Sequence, residues 1–362
     1  MTLSVNLRKR LTPSFALSVQ FSALPGVTIL FGASGSGKTT ILRCVAGLLR
    51  PDEGKVAIEG GAVFDSDTGT NIAPNKRGFG YVFQDLALFP HLTAEQNIGY
   101  GLFALGPEER RARVLRIAAA FHLEPVLGRR PAEISGGQRQ RVGLARSLVT
   151  DPRALLLDEP LSALDHHTQS RIIEDLRLWN AARRIPVLYV THSQREVFAL
   201  GDRVIALHDG VIAADGSPET VMNAPETEAM ASLAGFDNVF DARVEQRLES
   251  AGVMRSRIAG TQVELEVPLG VAREGSAIRV AIRAGDIMLA TEQPRGLSAR
   301  NVMPGRIVAL VTERAQVKLT VDVGIGIHAA VTPTARDTLG LRTGETVWVI
   351  IKTHSCRVVS AL

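Results

Sequence analysis

The sequence predicts an α/β domain over residues 1–232, followed by a smaller all-β region that continues to residue 362. Three observations carry this prediction. Up to about residue 230, apolar runs of strand length alternate with segments of helical spacing. A glycine-rich loop joins one of these runs to a helix. From about residue 236 onward the pattern changes to short alternating runs.

The elements follow in order. Val27-Thr-Ile-Leu-Phe31 is a short apolar strand. After the loop, Ile41, Leu42, Val45, Leu48 and Leu49 recur at helical spacing, and Pro51 lies just past the helix end. Ala154–Leu157 and Val187–Val190 are continuous enough in apolar character to be strands buried on both faces. Thr168 to Arg184 reads as a helix between them. Val204 to Ala213 reads as a hairpin turning at Asp209-Gly210.

In the tail, Val263–Val267, Ala277–Ile282, Val317–Val323 and Val347–Ile351 alternate as strands of a small barrel would. A faint internal repeat relates Asn238-Val-Phe to Asn301-Val-Met, and Val280-Ala-Ile-Arg283 to Val349-Ile-Ile-Lys352. The tail is therefore either two related barrels, 236–290 and 293–362, or one irregular β domain.

The chain has 362 residues, enough for two or three domains, with 45% hydrophobic and 22% charged residues. A net charge of +4 is too small to indicate a nucleic-acid partner. Two cysteines, Cys44 and Cys356, argue against a disulfide framework and fit a reducing compartment. No apolar run reaches the roughly 18 residues of a membrane span, and the opening MTLSVNLRKRL lacks the apolar core of a leader.

The strongest motif is the loop Gly32, Ala33, Ser34, Gly35, Ser36 and Gly37, followed by Lys38, Thr39 and Thr40. Its glycines let backbone N–H groups converge on phosphate oxygens, and the helix N-terminus adds positive potential. Lys38 is placed for the β- and γ-phosphates of ATP, and the Thr39 hydroxyl for Mg²⁺. The run Leu155-Leu-Leu-Asp158-Glu159 delivers two acids at a strand's C-terminal edge. Asp158 is a candidate Mg²⁺ ligand and Glu159 a candidate base for the attacking water. Taken alone, such acids are as readily helix caps. Ser135, Gly136, Gly137 and Gln138 form a capping box whose two glycines also admit close backbone approach by a phosphate.

Taken together and in this order, these motifs resemble the P-loop NTPase cassette of ATP-binding-cassette (ABC) ATPases, with a core sheet and a helical subdomain at about 86–150. The resemblance implies further roles. Gln84 resembles the Q-loop glutamine that senses Mg²⁺ and the transport partner. Ser162-Ala-Leu-Asp165 resembles the D-loop, and His192 the switch histidine at the γ-phosphate. It also implies a head-to-tail dimer with a second copy, in which Ser135 and Gly137 act on the ATP of the opposite copy. The adenine-stacking aromatic of the family is missing from Arg8–Pro13, leaving Phe15 late and an arginine as alternatives.

The stretch Leu88-Phe-Pro-His-Leu-Thr-Ala-Glu-Gln-Asn97 resembles importer ATPases at the socket for a permease subunit; there, an exposed Leu88-Phe89 pair would dock it. Ser298-Ala-Arg-Asn301 with Val302-Met-Pro-Gly305 resembles a Mop/TOBE-type, OB-like regulatory barrel. That resemblance implies import of molybdate or tungstate, served indirectly by a substrate-binding protein, at the cytoplasmic face of the membrane. It implies an oxyanion site at Ser298, Arg300, Lys352 and Thr353, which otherwise read as solvated barrel residues. The alternatives are importers of sulfate or ferric iron, a soluble ABC ATPase of another process, and an oxyanion store without catalysis.

Overall fold

The structure is a computed structural model that describes residues 1–162, 164–223, 231, 235–313 and 316–361. The chain divides into two compact units, Met1–Val221 and Met222–Leu362.

The first unit holds two sheets. Six strands lie in the order Val211–Gly216, Arg203–His208, Gly26–Gly32, Pro186–Thr191, Ala154–Asp158 and Phe79–Val82. All neighbours are parallel except the Val211–Gly216 edge strand, which closes the anticipated hairpin. Asp209 (φ 45°) and Gly210 (φ 81°) give that turn the two left-handed residues a two-residue hairpin needs. Ala154–Asp158 and Pro186–Thr191 are buried at every position, as strands covered on both faces must be. An antiparallel sheet of Phe15–Ala23, Leu3–Thr12, Glu53–Ile58, Gly61–Asp65 and Thr70–Asn71 faces it. The helix Lys38–Ala46 contributes Ile41, Leu42 and Val45 to the core that both sheets share.

Because the strands of the six-stranded sheet run parallel, Gly32, Asp158, Thr191 and Val82 all end at one edge, where open α/β sheets collect their ligands. Between Val82 and Ala154 lie the helices Ala94–Ile98, Pro107–Ala120 and Gly136–Leu148.

The second unit has two five-stranded antiparallel sheets. One has the order Glu264–Pro268, Val253–Ile258, Asn238–Leu248, Ala277–Ile282 and Arg357–Ala361. The other has the order Ile287–Ala290, Thr346–Ile351, Asn301–Glu313, Gln316–Asp322 and Gly326–Val331. The internal repeat is real in register: Asn238 pairs with Ile282 as Asn301 pairs with Ile351. A bulge follows Val244 and Ile307, each six residues past its asparagine. The division at 290–293, however, cuts across the pairing. The last strand of each repeat joins the sheet of the other: Ile287–Ala290 lies beside Thr346–Ile351, and Arg357–Ala361 beside Ala277–Ile282. One apolar core serves both sheets.

The buried asparagines complete the exchange. Asn238 Nδ2 donates to His328 O (2.8 Å) and its Oδ1 accepts from His328 N (2.6 Å). Asn301 Nδ2 donates to Glu266 O (2.9 Å) and its Oδ1 accepts from Glu266 N (2.7 Å). Each side chain satisfies the backbone of an edge strand in the opposite sheet, which would otherwise be left open.

Candidate functional site

The phosphate loop follows the strand Gly26–Gly32 and opens the helix Lys38–Ala46. Its glycines have separable reasons. A Cβ on Gly32 would lie 2.6 Å from Leu207 O, so packing excludes a side chain there. Gly37, at φ 102°, would strike Leu17 at 2.8 Å. Gly35 (φ 85°) faces open space, leaving its backbone free to meet a ligand. Lys38 Nζ donates to Gly32 O (2.9 Å) and Ala33 O (2.7 Å). Burial pushes its ammonium below the usual range, while the charges of Glu159 and Asp158 act in the opposite direction. The buried Ser36 Oγ has no partner.

Thr39 Oγ1 donates to Asp158 Oδ1 at 2.7 Å, and Tyr81 Oη to Asp158 Oδ2 at 3.2 Å. The hydroxyl and the carboxylate thus meet as an oxygen donor set suited to Mg²⁺. An orphan serine hydroxyl, an open glycine backbone and this oxygen pair fit a nucleotide triphosphate with its metal. Glu159 sits in the left-handed region (φ 45°) just before Pro160, and its N–H donates to Val190 O (3.1 Å). Its Oε1 lies 3.3 Å from His192 Nδ1. Lys38, Thr39, Asp158, Glu159 and His192 therefore converge. Ala33, Ser34 and Gly35 are exposed, and Thr40 half-buried on the first helical turn. Gln84 follows the strand Phe79–Val82 and is exposed.

Ser135, Gly136, Gly137 and Gln138 line a different hollow, of about 430 Å³, with Asp165, Thr168 and Arg171; no phosphate-loop residue lines it. The capping box is present: Gln138 N donates to Ser135 Oγ (3.3 Å) and Ser135 N to Gln138 Oε1 (2.9 Å). Gly137 has an internal reason to be a glycine, since its Cβ would meet Thr168 Cγ2 at 2.6 Å; a Cβ at Gly136 would make only ordinary contacts, with Leu164 at 3.7 Å and Arg139 at 3.9 Å. Only Gly136 is left without an internal reason to be a glycine. Asp165 caps the helix His166–Arg183, accepting from Thr168 N and His167 N, and the Thr168 bond leads in holding its carboxyl below the usual range. Ala163 of the D-loop lies outside the described residues.

Leu88 and Phe89 are half-buried, not exposed. Phe89 packs on Tyr100 (ring centroids 4.3 Å) under the Arg146 guanidinium (5.5 Å). Phe103 (86%) and Tyr100 (53%) are the most exposed aromatics among the described residues. Leu86 and Ala87 both have positive φ. Arg146 holds them by donating to Leu86 O (2.6 Å) and Ala87 O (2.8 Å). The buried Asn97 ties down the next turn through Phe89 N, Phe89 O, Leu92 O and Thr93 O.

The sequence offers Phe15 only as a late alternative and assigns no role to Tyr81 and Arg146. The Phe15 ring abuts the phosphate loop, 3.7 Å from where a Gly37 Cβ would be. Tyr81 and Arg146 act through register and packing, which no local motif announces. In the tail, Asn301 pairs with Ile351, so Arg300 and Lys352 flank the last paired residues. Ser298, Arg300 and Lys352 are exposed; Thr353 is buried with an unpartnered hydroxyl. Arg300 Nε lies 3.5 Å from Glu266 Oε2.

The comparisons agree with this geometry. The ABC transporter family matches residues 18–162, and the TOBE domain family residues 297–358. A dimeric, post-hydrolysis structure of the ATP-binding cassette MJ0796 bound to ADP and Pi is 31% identical, with a TM-score of 0.52, covering 60% of this chain and 99% of that one. The fold is that of an ABC-type ATPase, and its ABC domain implies ATP binding. The molybdenum import ATP-binding protein ModC of Rhizobium meliloti (strain 1021) is 40% identical, covering 98% of this chain and 99% of the relative. That of Pseudomonas aeruginosa is 38% identical over 95% and 96%. The chain belongs to the family of molybdenum import ATP-binding proteins.

Proposed function

We propose that this chain energises molybdate uptake as the ATP-hydrolysing subunit of an importer, paired head to tail with a second copy beneath permease subunits at the cytoplasmic face of the membrane. Among the described residues no helix is long and apolar enough to cross a membrane. The observation that carries the reading is the convergence of Lys38, Thr39, Asp158, Glu159 and His192 at one sheet edge, with the Ser135 loop lining a separate hollow. The Ser135 loop, set apart from the phosphate loop, fits a nucleotide held by another copy.

Each side chain has a task. Lys38 turns its donors from Gly32 O and Ala33 O to the β- and γ-phosphates. Thr39, Asp158 and Gln84 would hold Mg²⁺, with Tyr81 orienting the Asp158 carboxylate. Bound there, Mg²⁺ would neutralise charge on the phosphates. Glu159 takes the proton of the attacking water, and His192 donates to the γ-phosphate. Phe15 offers its ring to adenine. The exposed Tyr100 and Phe103 present an apolar patch for the permease. In the tail, Ser298, Arg300, Lys352 and the orphan Thr353 hydroxyl offer two charges and two hydroxyls to an oxyanion.

The test is reconstitution with a molybdate permease and its binding protein, followed by uptake of labelled molybdate against competitors. Tungstate should compete and sulfate or ferric ion should not. Equal competition by sulfate would overturn the cargo assignment while leaving the ATPase intact.

A further inference from the structure

The strand Pro186–Thr191 and the helix Gln194–Leu200 are joined by two residues only, His192 and Ser193. The direction in which His192 points is therefore set by how these two elements are fixed to each other. A seven-residue helix has little stability of its own, so the fixing must come from contacts outside it.

One contact stands out chemically. Tyr189 is fully buried, and its Oη donates to Glu196 Oε2 at 2.7 Å; Glu196 is only 4% exposed. Glu196 forms no ion pair among the described residues. An apolar pair of similar volume would cover this face without the cost of burying a carboxylate. Burial, followed by the Glu196 charge, raises the Tyr189 phenol well above its usual range, so the hydroxyl stays a donor. Smaller links run in the same direction. Ser193 N donates to Thr191 Oγ1 (3.0 Å), and Glu196 N to Ser193 Oγ (3.4 Å). The neighbour of Tyr189 on the strand, Val190, accepts from the N–H of Glu159. The brace thus lies one residue from the grip on the candidate base, and spans the histidine in contact with it.

We propose that Tyr189 and Glu196 are positioning residues for His192: their buried hydrogen bond bolts the first turn of the helix to the strand and fixes the backbone from which the histidine reaches the γ-phosphate. The inference rests on the reading of His192 as the γ-phosphate contact. Neither side chain touches the nucleotide; both act through the histidine between them.

Binding of a non-hydrolysable ATP analogue and of ADP to the full chain separates the two ideas, because only the analogue carries a γ-phosphate. His192→Ala should weaken the analogue about tenfold, the loss of one charge-assisted hydrogen bond, and leave ADP within about twofold. Tyr189→Phe should weaken the analogue in the same direction, again sparing ADP. On the His192→Ala background it should add nothing, since it acts only through that side chain. Glu196→Gln keeps an acceptor for Tyr189 and should retain wild-type discrimination; Glu196→Ala should lose it. The Glu196 pair also carries the test if Tyr189→Phe does not fold. If His192→Ala leaves discrimination unchanged, the reading of the histidine fails. If His192→Ala removes it but Tyr189→Phe and Glu196→Ala weaken both nucleotides equally, or still weaken the analogue when His192 is absent, the brace alone is overturned.

Discussion

Replacing Arg77 with methionine should loosen the helix that carries the phosphate loop. Arg77 is 1% exposed and has no carboxylate partner among the described residues. Nη1 donates to Val45 O (2.7 Å) and Cys44 O (3.2 Å), Nε to Ile72 O (2.8 Å) and Nη2 to Asn71 Oδ1 (2.9 Å). Two of these acceptors are carbonyls at the end of the helix Lys38–Ala46, where a cation also meets the negative end of the dipole. Gly47 leaves room for the guanidinium: a Cβ there would lie 2.6 Å from it. Counted singly, four charge-assisted bonds would contribute about 6–12 kcal/mol. Burial works against that sum and pushes the guanidinium below its usual range. Removing the guanidinium leaves the buried carbonyls of Val45 and Cys44 without their donor, at a cost of about 1–3 kcal/mol each. The thiol of Cys44, 0% exposed on the same helix, reports local opening. Its labelling by a disulfide reagent, followed on the Cys44 peptide by mass spectrometry, should accelerate roughly 10²- to 10⁴-fold. Arg77→Lys should fall between, keeping charge but losing the fork. A rate within threefold of wild type for Arg77→Met would refute the reasoning.

Glu159→Gln should slow ATP turnover about 10²–10⁴-fold while ATP binding persists, measured by phosphate release and nucleotide affinity. Phe15→Ala should raise the KM for ATP about five- to tenfold with little change in kcat, the loss of one stacking contact; an unchanged KM would assign adenine to another residue. Burial pushes the Cys44 thiol up to about 11 from a usual 9.0. Between those values the unfolded state binds fewer protons than the folded one, so stability falls as pH rises through that window. Cys44→Ser should flatten this decline in urea midpoints between pH 9 and 11. Arg300→Ala should abolish any inhibition of the assembled transporter's ATPase by molybdate and leave basal hydrolysis unchanged.

The phosphate loop, the acids and the Ser135 loop were legible because each is a local string whose chemistry needs those residues at that spacing. The buried strands were legible for the same reason: every position of Ala154–Leu157 is apolar. Residues that act across the chain were not. Phe15 reaches Gly37 only because one sheet lays its strand against the loop, and Tyr81 reaches Asp158 only through the register that pairs Tyr81 with Leu156. Leu88 and Phe89 looked exposed because no pattern shows that Arg146 and Tyr100 cover Phe89. The tail repeat was visible in Asn238 and Asn301. Which sheet Ile287–Ala290 and Arg357–Ala361 join was not, since either sheet offers an equivalent edge.

That exchange has a physical consequence for any ligand at Arg300. The residue after it, Asn301, grips the backbone of Glu266 in the other sheet through both its amide oxygen and nitrogen. The Glu266 side chain meanwhile pairs with Arg300 (3.5 Å) and Arg255 (3.7 Å). An oxyanion that takes the charge of Arg300 must compete with that carboxylate, which would be left with Arg255 alone. The displaced group belongs to a strand whose sheet includes Arg357–Ala361, the last strand of the other repeat.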